Sequence, residues 1–220
     1  MIARWRTTLR QLPYRFPRIY DWLTQHGILR WLGMSGHAQA EWVNQTLYHE
    51  GRLLDAPFGT GVLTMQNYAQ RPAITVIGVD LALAMLKTAQ HELRQRGIVN
   101  VHLVCADMTV LPFKHDQFNQ IVTLNGLQVL PHPETLVDEL LRVAEDGCVV
   151  VGTATVNIGL EPRGGLQRLL VRLGLINDVD PEKLHDLLGM TWSKLSGQRT
   201  GAVYHFRRAK LDPATGEPVS

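Results

Sequence analysis

From residue 50 to residue 150 short apolar runs alternate with longer amphipathic segments. That rhythm of strand, helix and strand builds a mostly parallel sheet. The spacing predicts a first strand at Arg52-Leu53-Leu54-Asp55, a glycine-bearing turn, and a helix from Gly61 to Gln70 that Arg71-Pro72 ends. Ala73 to Val79 reads as the second strand. Leu81 to Arg96 reads as a helix whose Ala82, Met85, Leu86, Ala89 and Leu93 form one stripe, with Gly97 as its stop. Val99 to Val104 and Gln120 to Leu124 follow as strands. Pro133 to Ala144 is a helix with proline in its first turn, and Cys148 to Thr153 a fifth strand entered through Asp146-Gly147.

The C-terminal part is read more coarsely. Leu166, Leu169, Leu170 and Leu173 mark a helical face, and Asp180-Pro181-Glu182 opens a further helix that Gly189 ends. Two more strands, Thr191 to Leu195 and Ala202 to Arg207, are expected on either side of a reversal over Ser196 to Gly201.

With 220 residues, 45% of them hydrophobic and 19% charged, the chain can bury one sizeable core. Arg, Asp, Gly or Pro interrupts every apolar run before the roughly 18 residues of a membrane span. Cys105 and Cys148 are the only cysteines, too few for a disulfide framework or a cysteine-based zinc site, and no metal site is expected. That usage suits a reducing, cytoplasmic setting. The net charge is +2, small for a protein that binds nucleic acid by neutralising phosphates. Its excess lies in residues 1–18, where Arg4, Arg6, Arg10, Arg15 and Arg18 face no acid. Ile2, Trp5, Leu9 and Leu12 lie between them at helical spacing. We read the segment as a solvated basic arm, with weak contact to an anionic lipid surface as the alternative.

Chemistry is expected where the first strand meets the first helix, in Asp55-Ala56-Pro57-Phe58-Gly59-Thr60-Gly61. Open parallel sheets bind ligands at the carboxyl ends of their strands, and glycines there let the backbone turn sharply against a ligand. Asp55 is placed to face a positively charged ligand group. A dinucleotide site wants G-x-G-x-x-G, but Thr64 stands where the third glycine belongs and an acid beside the turn would repel pyrophosphate. Asp80 ends the second strand, where its carboxylate can accept from a ribose diol or cap the following helix. Asp107 follows the third strand. It can accept from an adenine amino group with Leu81 or Met108 on the ring face, or it can cap a short turn.

The ordered set Leu54-Asp55, Gly59-Thr60-Gly61, Val79-Asp80 with Met85-Leu86, Ala106-Asp107, Leu111-Pro112-Phe113 and Phe118-Asn119 resembles the class I methyltransferases that use S-adenosylmethionine. The closest likeness is to the small-molecule branch that includes the ubiquinone and menaquinone biosynthesis enzymes. Pro57 and Asn119 depart from that pattern, which has glycine and aspartate there. The resemblance implies a three-layer Rossmann-like α/β fold whose mostly parallel seven-stranded sheet ends in an antiparallel hairpin-type strand. It also implies a helical N-terminal lid over residues 1–49, a cofactor domain over 50–210 and a tail over 211–220. Tyr20, Asp55, Ala56, Gly59, Thr60, Gly61, Asp80, Leu81, Ala106, Asp107, Met108, Asn125 and Gly126 would then hold S-adenosylmethionine. The reaction would be in-line methyl transfer to O, C or N of a small or lipid-like molecule. Asn125-Gly126 lacks the N-P-P-Y pattern of enzymes that methylate nucleic-acid amines. His37 and His132 are the candidate bases. The competing readings are an NAD(P)-dependent oxidoreductase and a non-catalytic nucleotide-binding module of the same fold.

Overall fold

The computed structural model describes Pro17, Asp21 and residues 36–155, 196–200 and 203–209. Helix α1 (Gly36–Thr46) precedes β1 (Gly51–Asp55), α2 (Met65–Ala69), β2 (Ile74–Asp80), α3 (Leu83–Gln95) and β3 (Val101–Cys105). Then come β4 (Phe118–Leu124), α4 (Pro133–Val143) and β5 (Ala144–Thr155). These five strands are parallel in the order β3-β2-β1-β4-β5, so the strand order reverses between β1 and β4. The carboxyl ends of β1 and β4 flank the crevice in which open α/β sheets bind ligands.

Successive residues on each strand serve opposite faces. Leu54, Val79, Ile121 and Val150 pack with Leu136, Val137, Leu140 and Val143 of α4. Leu53, Val76, Val122 and Val149 pack on the other side with Val43 of α1, Tyr68 of α2, and Leu86, Ala89 and Leu93 of α3. The layers are therefore helix, sheet and helix, and near-continuous apolar strands such as Cys148-Val149-Val150-Val151 follow from burial on both faces.

Most elements fall where the sequence pattern puts them, and the exceptions have local causes. The first helix is confined to Met65–Ala69 because Gly59 and Gly61 both adopt positive φ (+60° and +73°) and residues 59–64 turn. In α3, Met85, Leu86, Ala89 and Leu93 are buried as the stripe requires. That helix begins at Leu83 rather than Leu81 because Asp80 Oδ1 accepts the Ala82 N–H at 2.8 Å. Asp146-Gly147 lies within β5 instead of before it. Gly147 takes φ +77°, and the pairing with β4 jumps from Phe118–Ala144 to Gln120–Val149, so the expected turn is an irregularity of the strand. Asn119, the departure from the family pattern, accepts the Arg52 N–H with its side-chain oxygen at 2.9 Å and lies against Gly51.

Toward the C-terminus, Ser196–Thr200 and Val203–Ala209 are extended, so the reversal read over 196–201 is strand through Thr200. The expected strand at 191–195 and the helices read between 160 and 189 lie outside the described residues, as does the basic arm of residues 1–18 apart from Pro17. Among the described residues no helix is long and apolar enough to cross a membrane.

Candidate functional site

The glycine turn is built from below by Phe58. Its ring is buried in the α1–α3 face of the core. It fills the room left by two absent side chains, since a Cβ at Gly61 or Gly78 would come within 2.7 Å of it. Backbone bonds from Phe58 N–H to Val79 O (2.8 Å) and from Ala56 N–H to Val122 O (3.0 Å) tie the turn to both neighbouring strands. Pro57 lies against Gly126 at the tip of β4. Above the turn the situation is the reverse, because a Cβ at Gly59 would meet nothing within 4 Å. The turn is packed on the protein side and open on the other.

Asp80 fixes this turn from β2. Its Oδ2 accepts the Gly59 N–H at 2.7 Å and its Oδ1 the Ala82 N–H at 2.8 Å. A carboxylate offers about four acceptor positions, so two remain for a ligand. Burial raises the Asp80 pKa above the usual carboxylate value, and the backbone N–H groups of Ala82, Gly59 and Leu81 work against that rise. Asp80 does not cap α3, whose N-cap is Ala82 with no side-chain capping bond; its bond to the Ala82 N–H shapes the residues ahead of the helix instead. Leu81, immediately after it, is 67% exposed.

Asp55 is not placed as the sequence suggested. It is buried at 1% exposure, and its Oδ2 accepts hydrogen bonds from Thr64 Oγ1 (2.8 Å) and Tyr68 OH (2.7 Å). Thr64 therefore replaces the third glycine of a dinucleotide turn with a hydroxyl that serves this acid. Burial pushes the Asp55 pKa up to about 7, and the nearby Asp80 carboxylate adds to the rise. Asp107 is exposed, and its Oδ1 accepts from Thr109 N–H (2.8 Å) and Thr109 Oγ1 (2.7 Å), so it shapes the turn after β3. That turn, which also holds Ala106 and Met108, is anchored at its far end by α4. Arg142 donates to the carbonyls of Leu111 (3.0 Å) and Phe113 (2.8 Å) while Glu139 accepts the Leu111 N–H (2.7 Å).

Thr60 donates its hydroxyl to Asp21 at 2.5 Å, which places that acid at the glycine turn. Burial raises the Asp21 pKa. Tyr20 lies outside the described residues. Asn125, at φ +58° on the tip of β4, donates from its side chain to Gln39 Oε1 at 2.9 Å. The two histidines are not in the crevice's polar network. His37 is exposed on α1, and His132 is exposed ahead of α4 with Nδ1 at 3.0 Å from Glu134. Gln39 is a polar residue of this edge that sequence reasoning missed. A glutamine within a helix leaves no local pattern by which to find it.

The fold is an open α/β domain with a glycine turn and an oriented carboxylate at the carboxyl edge of its sheet, and comparison with known proteins shows what it is similar to. Residues 53–147 match the family model described as a methyltransferase domain. The chain is 33% identical over 121 residues to the ubiquinone/menaquinone biosynthesis C-methyltransferase of Stutzerimonas stutzeri, covering 52% of this chain and 47% of that one. It is 34% identical over 102 residues to a phosphatidylethanolamine N-methyltransferase of Cereibacter sphaeroides, covering 46% of this chain and 49% of the relative. The matched region thus spans about half the length of these relatives. The solved phosphoethanolamine N-methyltransferase 2 of Haemonchus contortus shares the fold at a TM-score of 0.74 and 13% identity, over 88% of this chain and 57% of that one. Over residues 53–147 the chain is thus similar to the methyltransferase domain family, and over about half its length it resembles the ubiquinone/menaquinone C-methyltransferases.

Proposed function

We propose that this protein transfers a methyl group from S-adenosylmethionine to O, C or N of a small or lipid-like molecule. The observation that carries this reading is the pairing of Asp80 with the open face of Gly59. A carboxylate already oriented by two backbone N–H groups stands beside Gly59, where a side chain would meet nothing within 4 Å among the described residues. The residues fit the cofactor: Asp80 retains acceptor positions for a ribose diol, and Leu81 offers an exposed apolar face for adenine. Ala106, Asp107 and Met108 complete the adenine side, while Ala56, Gly59, Thr60 and Gly61 carry the linking chain, with Asp55 below them. Asn125 and Gly126 border the far end, and Tyr20 closes over it. The names of the relatives support the acceptor class, being enzymes of quinone and phospholipid methylation.

When bound, the cofactor supplies a sulfonium that activates its own methyl carbon. The chain's part is to hold the two reactants aligned, an effect worth about 7–11 kcal/mol in well-oriented systems. Asp55, whose pKa burial raises to about 7, adds a negative potential toward a cationic ligand only when it is deprotonated. Neither His37 nor His132 is needed for that role, and each is a base only if the acceptor must lose a proton first.

The same reading makes residues 1–49 a helical lid, 50–210 the cofactor domain and 211–220 a tail. Its sheet is completed to seven strands by β6 (Ser196–Thr200) and β7 (Val203–Ala209). The antiparallel register of β7 along β5, from Ala209 beside Val149 to Val203 beside Thr155, supports this, as does that of β6 along β7. A cytoplasmic protein without a nucleic-acid partner, its basic arm touching lipid weakly if at all, fits the charge distribution.

Calorimetric titration tests the function directly. S-adenosylmethionine and S-adenosylhomocysteine should bind and NAD should not, and labelled methyl transfer into quinol and phospholipid acceptors should yield product. Binding of NAD alone would overturn the reading in favour of an oxidoreductase. Cofactor binding without transfer to any acceptor would favour a binding module.

A further inference from the structure

The β4–β5 end of the crevice holds a polar cluster that nucleoside binding does not use. Gln39 comes from α1 and is 1% exposed. Its Oε1 accepts from Asn125 Nδ2 at 2.9 Å and from Thr153 Oγ1 at 3.1 Å. Thr153 has one hydroxyl proton, and Gln39 is nearer to it than Asn125 Oδ1 at 3.5 Å. The cluster is held rigidly. Asn125 donates its backbone N–H to Thr153 O at 2.9 Å, and α1 is fastened to α2 by Asn67 on Ala40 O and by Arg71 on Asn44 O.

What is left over is the Gln39 amide nitrogen, buried and without a hydrogen-bond partner. Native interiors rarely keep such a donor unsatisfied, because its desolvation is not offset. Both groups that fix the side chain engage its oxygen, so its N–H groups are oriented and unused.

The order of the strands says what could use them. A nucleoside ligand laid along β3, β2 and β1, at Asp107, Asp80 and the glycine turn, brings its end opposite the base toward β4. In S-adenosylmethionine that end is an α-amino acid. The carboxylates on this edge, Asp55 and Asp80, suit the ammonium, and an amide that can only donate suits an anionic oxygen.

We propose that Gln39, oriented by Asn125 and Thr153, binds a carboxylate-type oxygen of the ligand at the β4–β5 end of the crevice. This rests on the methyltransferase reading. The oxygen belongs either to the amino-acid end of the cofactor or to the methyl acceptor beside it, and the two sources are separable.

Two variants give the test. Gln39→Glu keeps an oxygen for Asn125 and Thr153 but replaces the donor by an acceptor. Gln39→Met is of similar length with no donor. Both are titrated at pH 8 with S-adenosylhomocysteine and with 5′-methylthioadenosine, which has the same nucleoside and thioether without the amino acid. If the oxygen is the cofactor's, both variants bind S-adenosylhomocysteine about 10- to 100-fold more weakly, the range for a hydrogen bond to a charged group. Both then bind 5′-methylthioadenosine as the wild type does. If the oxygen is the acceptor's, neither affinity changes, and sodium acetate but not sodium chloride shifts the Gln39 side-chain amide signal in the NMR spectrum of wild type saturated with S-adenosylhomocysteine.

Parallel loss of both nucleosides would reduce Gln39 to a structural part and overturn the proposal. Unchanged affinities with an unmoved amide signal would overturn it as well. A wild-type protein that binds neither nucleoside defeats the methyltransferase reading itself, and the inference falls with it. Should the Met variant fail to melt cooperatively, the Glu variant carries the comparison.

Discussion

On the β1–β2 side of the switch point, the polar groups that shape the crevice are joined by hydrogen bonds spanning 2 to 21 residues of chain: Asp80 to Ala82 and Gly59, and Asp55 to Thr64 and Tyr68. On the β4–β5 side, Gln39 reaches Asn125 and Thr153 across 86 and 114 residues. The first side is assembled by one strand-turn-helix unit and its neighbour strand, and its groups satisfy one another before any ligand arrives. The second exists only once the N-terminal helix has docked on the finished sheet, and it retains an unused donor. The lesson is that one half of such a sheet edge can be assembled locally, while the other depends on an added element.

Breaking the first half should cost the most. Phe58→Ala empties the space beneath the glycine turn and should lower stability by about 3–5 kcal/mol in urea unfolding. The signals of Gln39 and Asn125 should move little in a variant that still folds, since neither packs on that ring.

Asp55 should reveal itself through pH. Its folded-state value of about 7 lies above the ordinary 3.8, so the folded protein holds this proton more tightly than the unfolded chain. The stability linked to the protonated form is complete below about pH 3.8 and is lost as pH rises through 7, at up to about 1.4 kcal/mol per pH unit. Asp55→Asn keeps an acceptor for Thr64 and Tyr68. It should flatten that part of the profile and make the ligand-free protein more stable than wild type at pH 8, while weakening binding of a cationic ligand. Melting temperatures from pH 5 to pH 8 check the first expectation, and a wild-type profile already flat over this range would remove the argument for a raised acid.

The smallest effect belongs to the second half. Thr153→Val removes one of the two donors to Gln39 Oε1 while the bond from Asn125 remains, so unfolding should become easier by only about 0.5–1.5 kcal/mol. A loss as large as that of Phe58→Ala would mean that the two halves do not differ in the way described.

The same division explains what could be read from the sequence. Apolar runs and an amphipathic stripe locate β1 to β5 and the buried face of α3, because burial on both sides of a parallel sheet and on one side of a helix leaves a local pattern. Asp80 and the glycine pair could be read because strand tip, turn and helix start are adjacent in the chain. The inward orientation of Asp55 could not, because it depends on hydroxyls from Thr64 and Tyr68 whose direction follows the short, late start of α2. Gln39 left no trace at all, its role being set by partners on β4 and β5. The irregularity at Asp146-Gly147 was readable as a turn, but the ladder with β4 absorbed it into a strand.

The account's central claim is that Asp80, braced by Gly59 and Ala82, receives the sugar of a nucleoside ligand. Titration of Asp80→Ala with S-adenosylhomocysteine, on protein verified to melt cooperatively, measures this. We expect binding weaker by about 1.5–3 kcal/mol, the range for hydrogen bonds to a charged group. An affinity equal to that of the wild type would contradict the claim.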